Sequence, residues 1–329
     1  MYIALTGDVM LGRLVNRHVI QDEHVPPDAV WGDVLSLLLS ADLRLINLEC
    51  VISTRGTMWH PRTKPFHFRA HPRAIDVLKA ARIDCVTLAN NHTLDYGPAA
   101  LAECLALLDQ AGIRHAGAGQ DLSAAITPVL LETAAGSIGV IALTDNEPQW
   151  EAAADRSGVQ FVAYNAQGLL EPYRSRLNRL IELTRRDAAW VIISAHVGPN
   201  WGAPAPAMRA LAHELIDLGA DLYWGHSNHT PEGMEVYHGK PILYATGDFI
   251  DDYAVDPIER NDRSFLFIAE LDDGRVQRIR LHPVAIEDCR VRRARGAEVR
   301  FLQERMRTLS AELGTVVETC GDWCELVVG

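Results

Sequence analysis

Short apolar runs alternate along the chain with longer stretches of helical period. The runs Tyr2–Thr6, Leu43–Leu48, Cys85–Ala89, Pro128–Glu132, Ile138–Leu143, Trp190–Ala195, Leu222–Trp224, Ile242–Ala245 and Phe265–Leu271 predict strands. The stretches Trp31–Ser40, Pro72–Ala81, Pro98–Ala111, Pro172–Arg186 and Pro204–Leu218 predict helices. Several open with Pro in the first turn, where its missing N–H costs nothing. Strands alternating with helices predict βαβ units and a layered α/β fold. The stretch from Glu232 to Asp288 reads mostly as strands, so part of the sheet system should be antiparallel.

A length of 329 residues allows two domains, or one large α/β domain with a tail. The chain divides into a main domain, 1–272, and an Arg-rich C-terminal appendage, 273–329. Between Arg275 and Arg307 stand ten Arg against four acids, with a helix predicted over Ala297–Leu313 and a strand-like end over Thr315–Val328. The appendage is expected to pack on the main domain through Phe301, Met306 and Leu309; the alternative is a substrate-facing basic patch. Hydrophobic residues at 48% and charged residues at 22% exclude wholesale disorder and collagen-like or coiled-coil architectures. A net charge of −12 excludes a general nucleic-acid binder, which needs local cation excess. No run reaches the roughly 18 apolar residues of a membrane span. The start, Met1 to Asp8, lacks a basic segment followed by an apolar one, so a cytoplasmic protein is expected. The six cysteines are widely spread and are expected to be free thiols.

Polar residues collect where the predicted strands end. These are Gly7-Asp8, Asn47-Leu48-Glu49, Asn90-Asn91-His92 with Asp95 three residues on, His196, Gly225-His226-Ser227-Asn228-His229, and Gly247-Asp248. Loops from several strands converge at the carboxyl ends of α/β sheets. Six such groups at independent strand ends are hard to explain by packing, because buried polar side chains need partners. Asp, Glu, Asn and three His form a mixed O/N donor set, hard enough for Mn or Fe and nitrogen-rich enough for Zn. One or two divalent metal ions are the expected cofactors, with Asp8, Glu49, Asn91, His196, His226 and His229 as candidate ligands. Asn47, on the same strand face as Glu49, is an alternative ligand, and Asp248 is a possible further one. Arg13 is a candidate clamp for an anionic substrate group, or a surface Arg at a helix start.

The order of these motifs resembles the calcineurin-like metallophosphoesterase superfamily. More closely, it resembles the CapA family of bacterial capsule (poly-γ-glutamate) synthesis proteins. The residues that carry the resemblance are Thr6-Gly-Asp8-Val-Met-Leu-Gly-Arg13, Asn47-Leu-Glu49, Leu88-Ala-Asn-Asn-His92-Thr-Leu-Asp95-Tyr-Gly97, His196, Gly225-His-Ser-Asn-His229 and Tyr244-Ala-Thr-Gly-Asp248-Phe. The resemblance implies a four-layer α/β/β/α sandwich of metallophosphoesterase type with two metals at the sheet edge. One metal would take Asp8, Glu49 and His229; the other Glu49, Asn91, His196 and His226, with Glu49 bridging. His92 would be the free imidazole beside them, oriented by Asp95, and with Arg13 these complete the candidate catalytic residues. The sequence departs from the pattern at Met10, where the superfamily has a His, at Glu49 in place of a bridging Asp, and at Asn228 and Asp248.

The implied activity is that of a metal-dependent hydrolase, acting on a γ-glutamyl-like peptide, amide or related carboxylate-rich substrate in polymer or peptide metabolism. A phosphoesterase and a non-catalytic capsule-synthesis module are the alternatives. Partners are expected to be small molecules or peptides bearing carboxylate or phosphate groups. No Gly-x-x-x-x-Gly-Lys-Ser/Thr loop and no Gly-x-Ser-x-Gly elbow occur, which argues against P-loop ATP hydrolysis and serine hydrolysis. The long stretch Arg55–His71 reads as a connector, with an edge strand at Phe66–Phe68; read instead as a lid, it would bring Lys64 to an anionic ligand.

Overall fold

The apolar runs pair into two sheets. The structure is a computed structural model and describes residues 1–60 and 64–328. The chain starts in the larger sheet with β1 (Tyr2–Val9), β2 (Leu43–Leu48), β3 (Cys85–Thr87) and β4 (Arg114–Ala116). It crosses to a second sheet of β5 (Val129–Thr133), β6 (Gly136–Thr144), β7 (Trp190–His196), β8 (Leu222–His226), β9 (Met234–Tyr237) and β10 (Lys240–Leu243). It then returns with β11 (Asp248–Ile250), β12 (Arg263–Asp272), β13 (Arg275–Glu287), β14 (Arg290–Arg293), β15 (Glu318–Cys320) and β16 (Trp323–Val327).

The larger sheet runs β15-β16-β13-β12-β1-β2-β3-β4, with β11 added on β1 and β14 on β13. The smaller runs β9-β10-β8-β7-β6-β5. β1 to β4 are mutually parallel, as are β6, β7, β8 and β10, whereas β12, β13 and β16 meet antiparallel. The fold is thus mixed α/β with an antiparallel extension.

Three apolar clusters show how the layers meet. One joins the inner faces of both sheets: Leu5 and Leu45 of the larger sheet share it with Val140, Ile192 and Trp224 of the smaller. A second lies between the larger sheet and helices α1 (Ala74–Ala80) and α2 (Gly97–Ala111), through Ile46, Leu78 and Leu101. The third lies between the smaller sheet and helices α3 (Tyr173–Asp187) and α4 (Pro206–Asp217), through Ile193, Ile181 and Leu211.

Two local expectations change. Trp31–Ser40 is not one helix: a 3₁₀ segment, Pro27–Val34, leads into a single α-turn, Leu35–Leu38. The break is at Gly32, whose φ is +50° and whose added Cβ would meet the Val291 carbonyl oxygen at 2.3 Å. β14 packs too closely for a regular helix there. The edge strand near Phe66 is displaced as well. Arg69–Ala70 pairs in parallel with Val51–Ile52, while Phe68 is buried.

The chain enters its C-terminal segment through a long β12–β13 hairpin, paired from Arg263↔Ala285 to Asp272↔Arg275 with a register shift between Glu270 and Leu271. Helix α5 (Ala297–Glu312) buries Leu302 and Met306 in the inter-sheet cluster, with Phe301 packed at its margin. The Arg run is largely ion-paired: Arg278 with Glu270 and Glu325, Arg280 with Glu325, and Arg292 with Glu287 and Glu298. The fork of Arg292 holds both Glu298 oxygens at 2.8 Å. That hydrogen bonding lowers the Glu298 carboxyl to about 2. A carboxyl held below its ordinary value stabilises the fold above about pH 4.5, and the contribution is lost as pH falls towards 2. Discounted for solvent screening, it is about 1–2 kcal/mol. Glu298→Gln should therefore lower the urea midpoint at pH 6, with a smaller difference from wild type at pH 3; an equal difference at both pH values would contradict this.

Candidate metal centre

Register brings the strand-end polar groups together. Between Leu5↔Leu45 and Asp8↔Asn47, β1 carries one more residue than β2, a bulge at Thr6–Gly7. Bulges re-aim the side chain that follows. Gly7 is required there because a Cβ would lie 2.0 Å from the Gly247 carbonyl oxygen. In the second sheet His196 and His226 are direct register partners at the ends of β7 and β8. The two sheets are tied beside the centre by Trp224 Nε1, which donates to the Thr6 carbonyl at 3.0 Å, and by a Ser194–Thr87 hydroxyl contact at 3.0 Å.

Asp8, Glu49 and His196, all buried, each bring a ligand-type atom within 4.8 Å of the others. His226 Nδ1 lies 2.8 Å from Asp8 Oδ1, and His196 Nδ1 lies 3.8 Å from Asp8 Oδ2. Asn47 Nδ2 donates to Asp8 Oδ1 at 2.8 Å and faces His196 Nδ1 at 3.1 Å. Its Oδ1 accepts from Thr87 and Asn90 at 3.2 and 3.1 Å. Both ends of the Asn47 amide are therefore engaged, which makes it an orienting group. His229 stands slightly apart, with Nδ1 on Asp248 Oδ1 at 3.0 Å and Nε2 on Asn200 Nδ2 at 3.2 Å. Met10 is fully buried in the cluster that faces α1 and α2, and its sulfur accepts from Gly12 N–H.

His92 approaches from the other side. Its Nδ1 meets Asp95 Oδ2 at 2.6 Å, its ring stacks on Phe68 at 3.7 Å, and its Nε2 lies 3.9 Å from Glu49 Oε1. Asp95 also accepts from the Phe68 N–H at 2.6 Å. Burial pushes Asp95 up to about 7, against the pull of the Lys64 ammonium. Burial, and then the charge of Lys64, hold His92 well below the ordinary imidazole value. The imidazole is thus held toward its neutral form, and its Nδ1 shares one proton with Asp95.

Of the two buried carboxylates at the centre, only one is held in its ionised form. Burial works to raise Asp8, but the charge and hydrogen bond of His226, with His196 and Asn47, hold it at about 2. Burial and then the negative charge of Asp8 push Glu49 well up. Burial takes His196 down to about 3 despite Asp8. Two adjacent buried carboxylates do not both ionise unless a positive charge joins them. Asn91 Oδ1, His196 Nε2, His226 Nε2 and Asp248 Oδ2 are buried with no hydrogen-bond partner. Orphaned acceptors of this kind are rare and costly. A mixed set of carboxylate, amide and imidazole donors fits a divalent first-row ion.

The sequence comparisons bear on this arrangement. The family model described as "Bacterial capsule synthesis protein PGA_cap" matches residues 2–253. The chain belongs to this capsule synthesis protein family. A relative from Mycobacterium tuberculosis, described as a probable polyglutamine synthesis accessory protein, is 34% identical over 96% of this chain and 85% of its own. The PGA biosynthesis protein CapA of Bacillus subtilis is 27% identical over 76% of this chain and 63% of its own. Among solved structures, a hypothetical protein from Thermus thermophilus superposes with a TM-score of 0.51 at 16% identity, covering 86% of this chain and 98% of that one. That last likeness concerns the fold alone.

In this family member the centre opens into a cavity of about 470 Å³. Its lining includes Glu49, Asn91, His92, His229 and Arg13 among the site residues singled out by sequence. Arg13 is held by Asp252 at 3.3 Å and lies over the rings of Phe68 and Tyr253. Trp201, exposed at the rim, stands 5.4 Å from His229. The Arg55–His71 stretch is more than a connector, since Lys64, Phe66 and Phe68 line the cavity; its residues 61–63 lie outside the described residues. Lys64 is not free for an anion: its ammonium donates to the Asn91 carbonyl at 2.5 Å and to Glu147 at 3.1 Å, and sits 3.6 Å from Asp95. Sequence reasoning missed Glu147 and Tyr253. Tyr253 hydroxyl donates to Glu49 Oε2 at 3.3 Å, and burial and then the Glu49 charge keep it protonated. Neither residue stands at a strand end within a recognisable motif, so no local signal marks them.

Proposed function

We propose that this capsule-family chain is a metal-dependent hydrolase that cleaves γ-glutamyl-like peptide or amide bonds in a carboxylate-rich substrate. The scaffold in this reading is a four-layer α/β/β/α sandwich of metallophosphoesterase type, supported by the three apolar clusters. The observation that carries the reading is the convergence of Asp8, Glu49 and His196 beside unpartnered atoms of Asn91, His196 and His226. Asp8, Glu49, Asn91, His196, His226 and His229 would hold one or two divalent ions of Mn, Fe or Zn type. Such ions, when bound, polarise the group under attack and lower the pKa of water.

The chain's own residues supply the rest. His92 keeps its Nδ1 proton on Asp95 and presents Nε2 to the cavity beside Glu49. Nε2 accepts a proton from the attacking water and returns it to the departing nitrogen. Asp95 fixes the tautomer and stabilises the imidazolium while it exists. Arg13, half exposed and braced by Asp252, binds a substrate carboxylate. Metal analysis, together with hydrolysis assays on a γ-glutamyl amide and a phosphate ester, tests the reading; turnover of the ester alone moves the assignment to a phosphoesterase.

The two halves of the centre are unequal. Met10 turns its sulfur to Gly12 N–H, and both His229 nitrogens already have partners. The Asp8–His229 side should therefore lose metal first on dialysis against a mild chelator, and the Asn91–His226 side last. Equal retention at both would contradict this. The same weakness favours a second reading, a non-catalytic synthesis module, in line with a relative described as an accessory protein. A wild-type chain without metal would select it.

A further inference from the structure

The loop that carries His226 and His229 is held from outside by a residue beyond the family-matched region. We propose that Arg305, on helix α5 of the C-terminal segment, is a positioning residue for the His226–His229 loop and thereby for the metal centre. The inference rests on the proposed metal centre for its consequence, but its geometry is independent of it. Arg305 Nε donates to the Pro231 carbonyl at 3.0 Å. Its Nη2 donates to Thr230 Oγ1 at 3.0 Å and to Glu232 Oε1 at 3.1 Å, and Nη1 reaches Glu259 at 3.4 Å. Thr230 and Glu232 are buried, so one guanidinium satisfies three consecutive residues that solvent does not reach.

The loop turns on the same groups. Asn228 Oδ1 accepts from both the Thr230 N–H and the Thr230 hydroxyl at 3.0 Å, and Asn228 Nδ2 donates to the Gly202 carbonyl at 2.7 Å. Ser227 sits at φ +84°, a conformation that persists only when its surroundings fix it. Arg305 therefore grips the turn immediately after His229 through Thr230 and Pro231. Helix α5 has little room to shift: a Cβ on Gly233 would meet the Leu309 carbonyl oxygen at 2.6 Å, and Met234 N–H donates to Ser310 Oγ at 3.0 Å. A planar fork with several fixed donors makes this set of bonds; a Lys ammonium cannot place donors on all of them at once.

The full-length chain tests this with two variants. Arg305→Lys keeps the charge and loses the fork. The double variant Arg305→Met with Glu232→Met removes both members of the buried pair, so that neither is left as an unpaired buried charge. Arg292→Ala, which releases Glu298 in the first turn of the same helix, is the control for general loosening of the tail. Hydrogen exchange is read at the amides of His229, Thr230 and Glu232, which bond to the Asn200 carbonyl, Asn228 Oδ1 and the Ala245 carbonyl. Mn(II) affinity is read by chelator competition. Both Arg305 variants should speed exchange at these amides and weaken Mn(II) about tenfold, the lower end of what outer partners of metal ligands contribute. Arg292→Ala should change neither. Exchange and Mn(II) affinity within twofold of wild type in both Arg305 variants would overturn the proposal. Faster loop exchange in both Arg305 variants, beside a wild type that binds no Mn(II), would uphold the positioning role and remove only the metal reading.

Discussion

His226→Ala is expected to lose bound metal and hydrolytic activity together. The ring is fully buried at the end of β8, 2.8 Å from Asp8, and its Nε2 has no other partner. Alanine removes a donor nitrogen and also leaves the buried Asp8 carboxylate without its imidazole partner at 2.8 Å. Breaking a buried pair on one side costs about 3–5 kcal/mol, so the melting temperature should drop as well. To separate the two effects, His226→Asn restores a polar group of smaller reach: it should recover part of the stability and little of the metal. Elemental analysis of the purified variants beside thermal melts reads both quantities, and an alanine variant with a full metal complement would refute the ligand assignment.

His92→Ala should behave in the opposite way. Its imidazole is engaged with Asp95 and Phe68, and faces Glu49 across 3.9 Å without joining the ligand cluster. Turnover should fall by about 10²–10⁴, the usual contribution of a general acid–base group, while metal content stays at the wild-type level. Asp95→Asn should show a milder loss with metal retained, because the ring would keep its stacking on Phe68 but lose the partner that fixes its tautomer. If His92→Ala and His226→Ala lost metal to the same extent, His92 would be a ligand and the proton-transfer role would fall.

The reach of the sequence can be judged from particular residues. Apolar runs mark strands such as Ile138–Leu143 and Trp190–Ala195 because burial there extends over several consecutive positions. β11 left no such mark: it is three residues long, begins with Asp248, and exists because it pairs with β1. Trp31–Ser40 carries a helical pattern, yet the close approach of β14 at Gly32 overrides it. At the centre, motif spacing points to Asp8, Glu49, His196 and His226 because strand ends and register fix where those side chains emerge. Lys64, Glu147 and Tyr253 are set by contacts between distant loops, and Phe68 reaches His92 only because Arg69–Ala70 pairs with Val51–Ile52. Periodicity carries no information on contacts of that kind.

The bulge in β1 and the paired ends of β7 and β8 put half of the polar set on each sheet: Asp8 and Asn47 on one, His196 and His226 on the other. A cation bound at that seam would resist the parting of the sheets, and its binding energy would count toward folding. At a free concentration one hundred times its dissociation constant, a ligand selective for the native state adds about 2.7 kcal/mol to stability. Chelation should then lower the unfolding temperature of the entire chain.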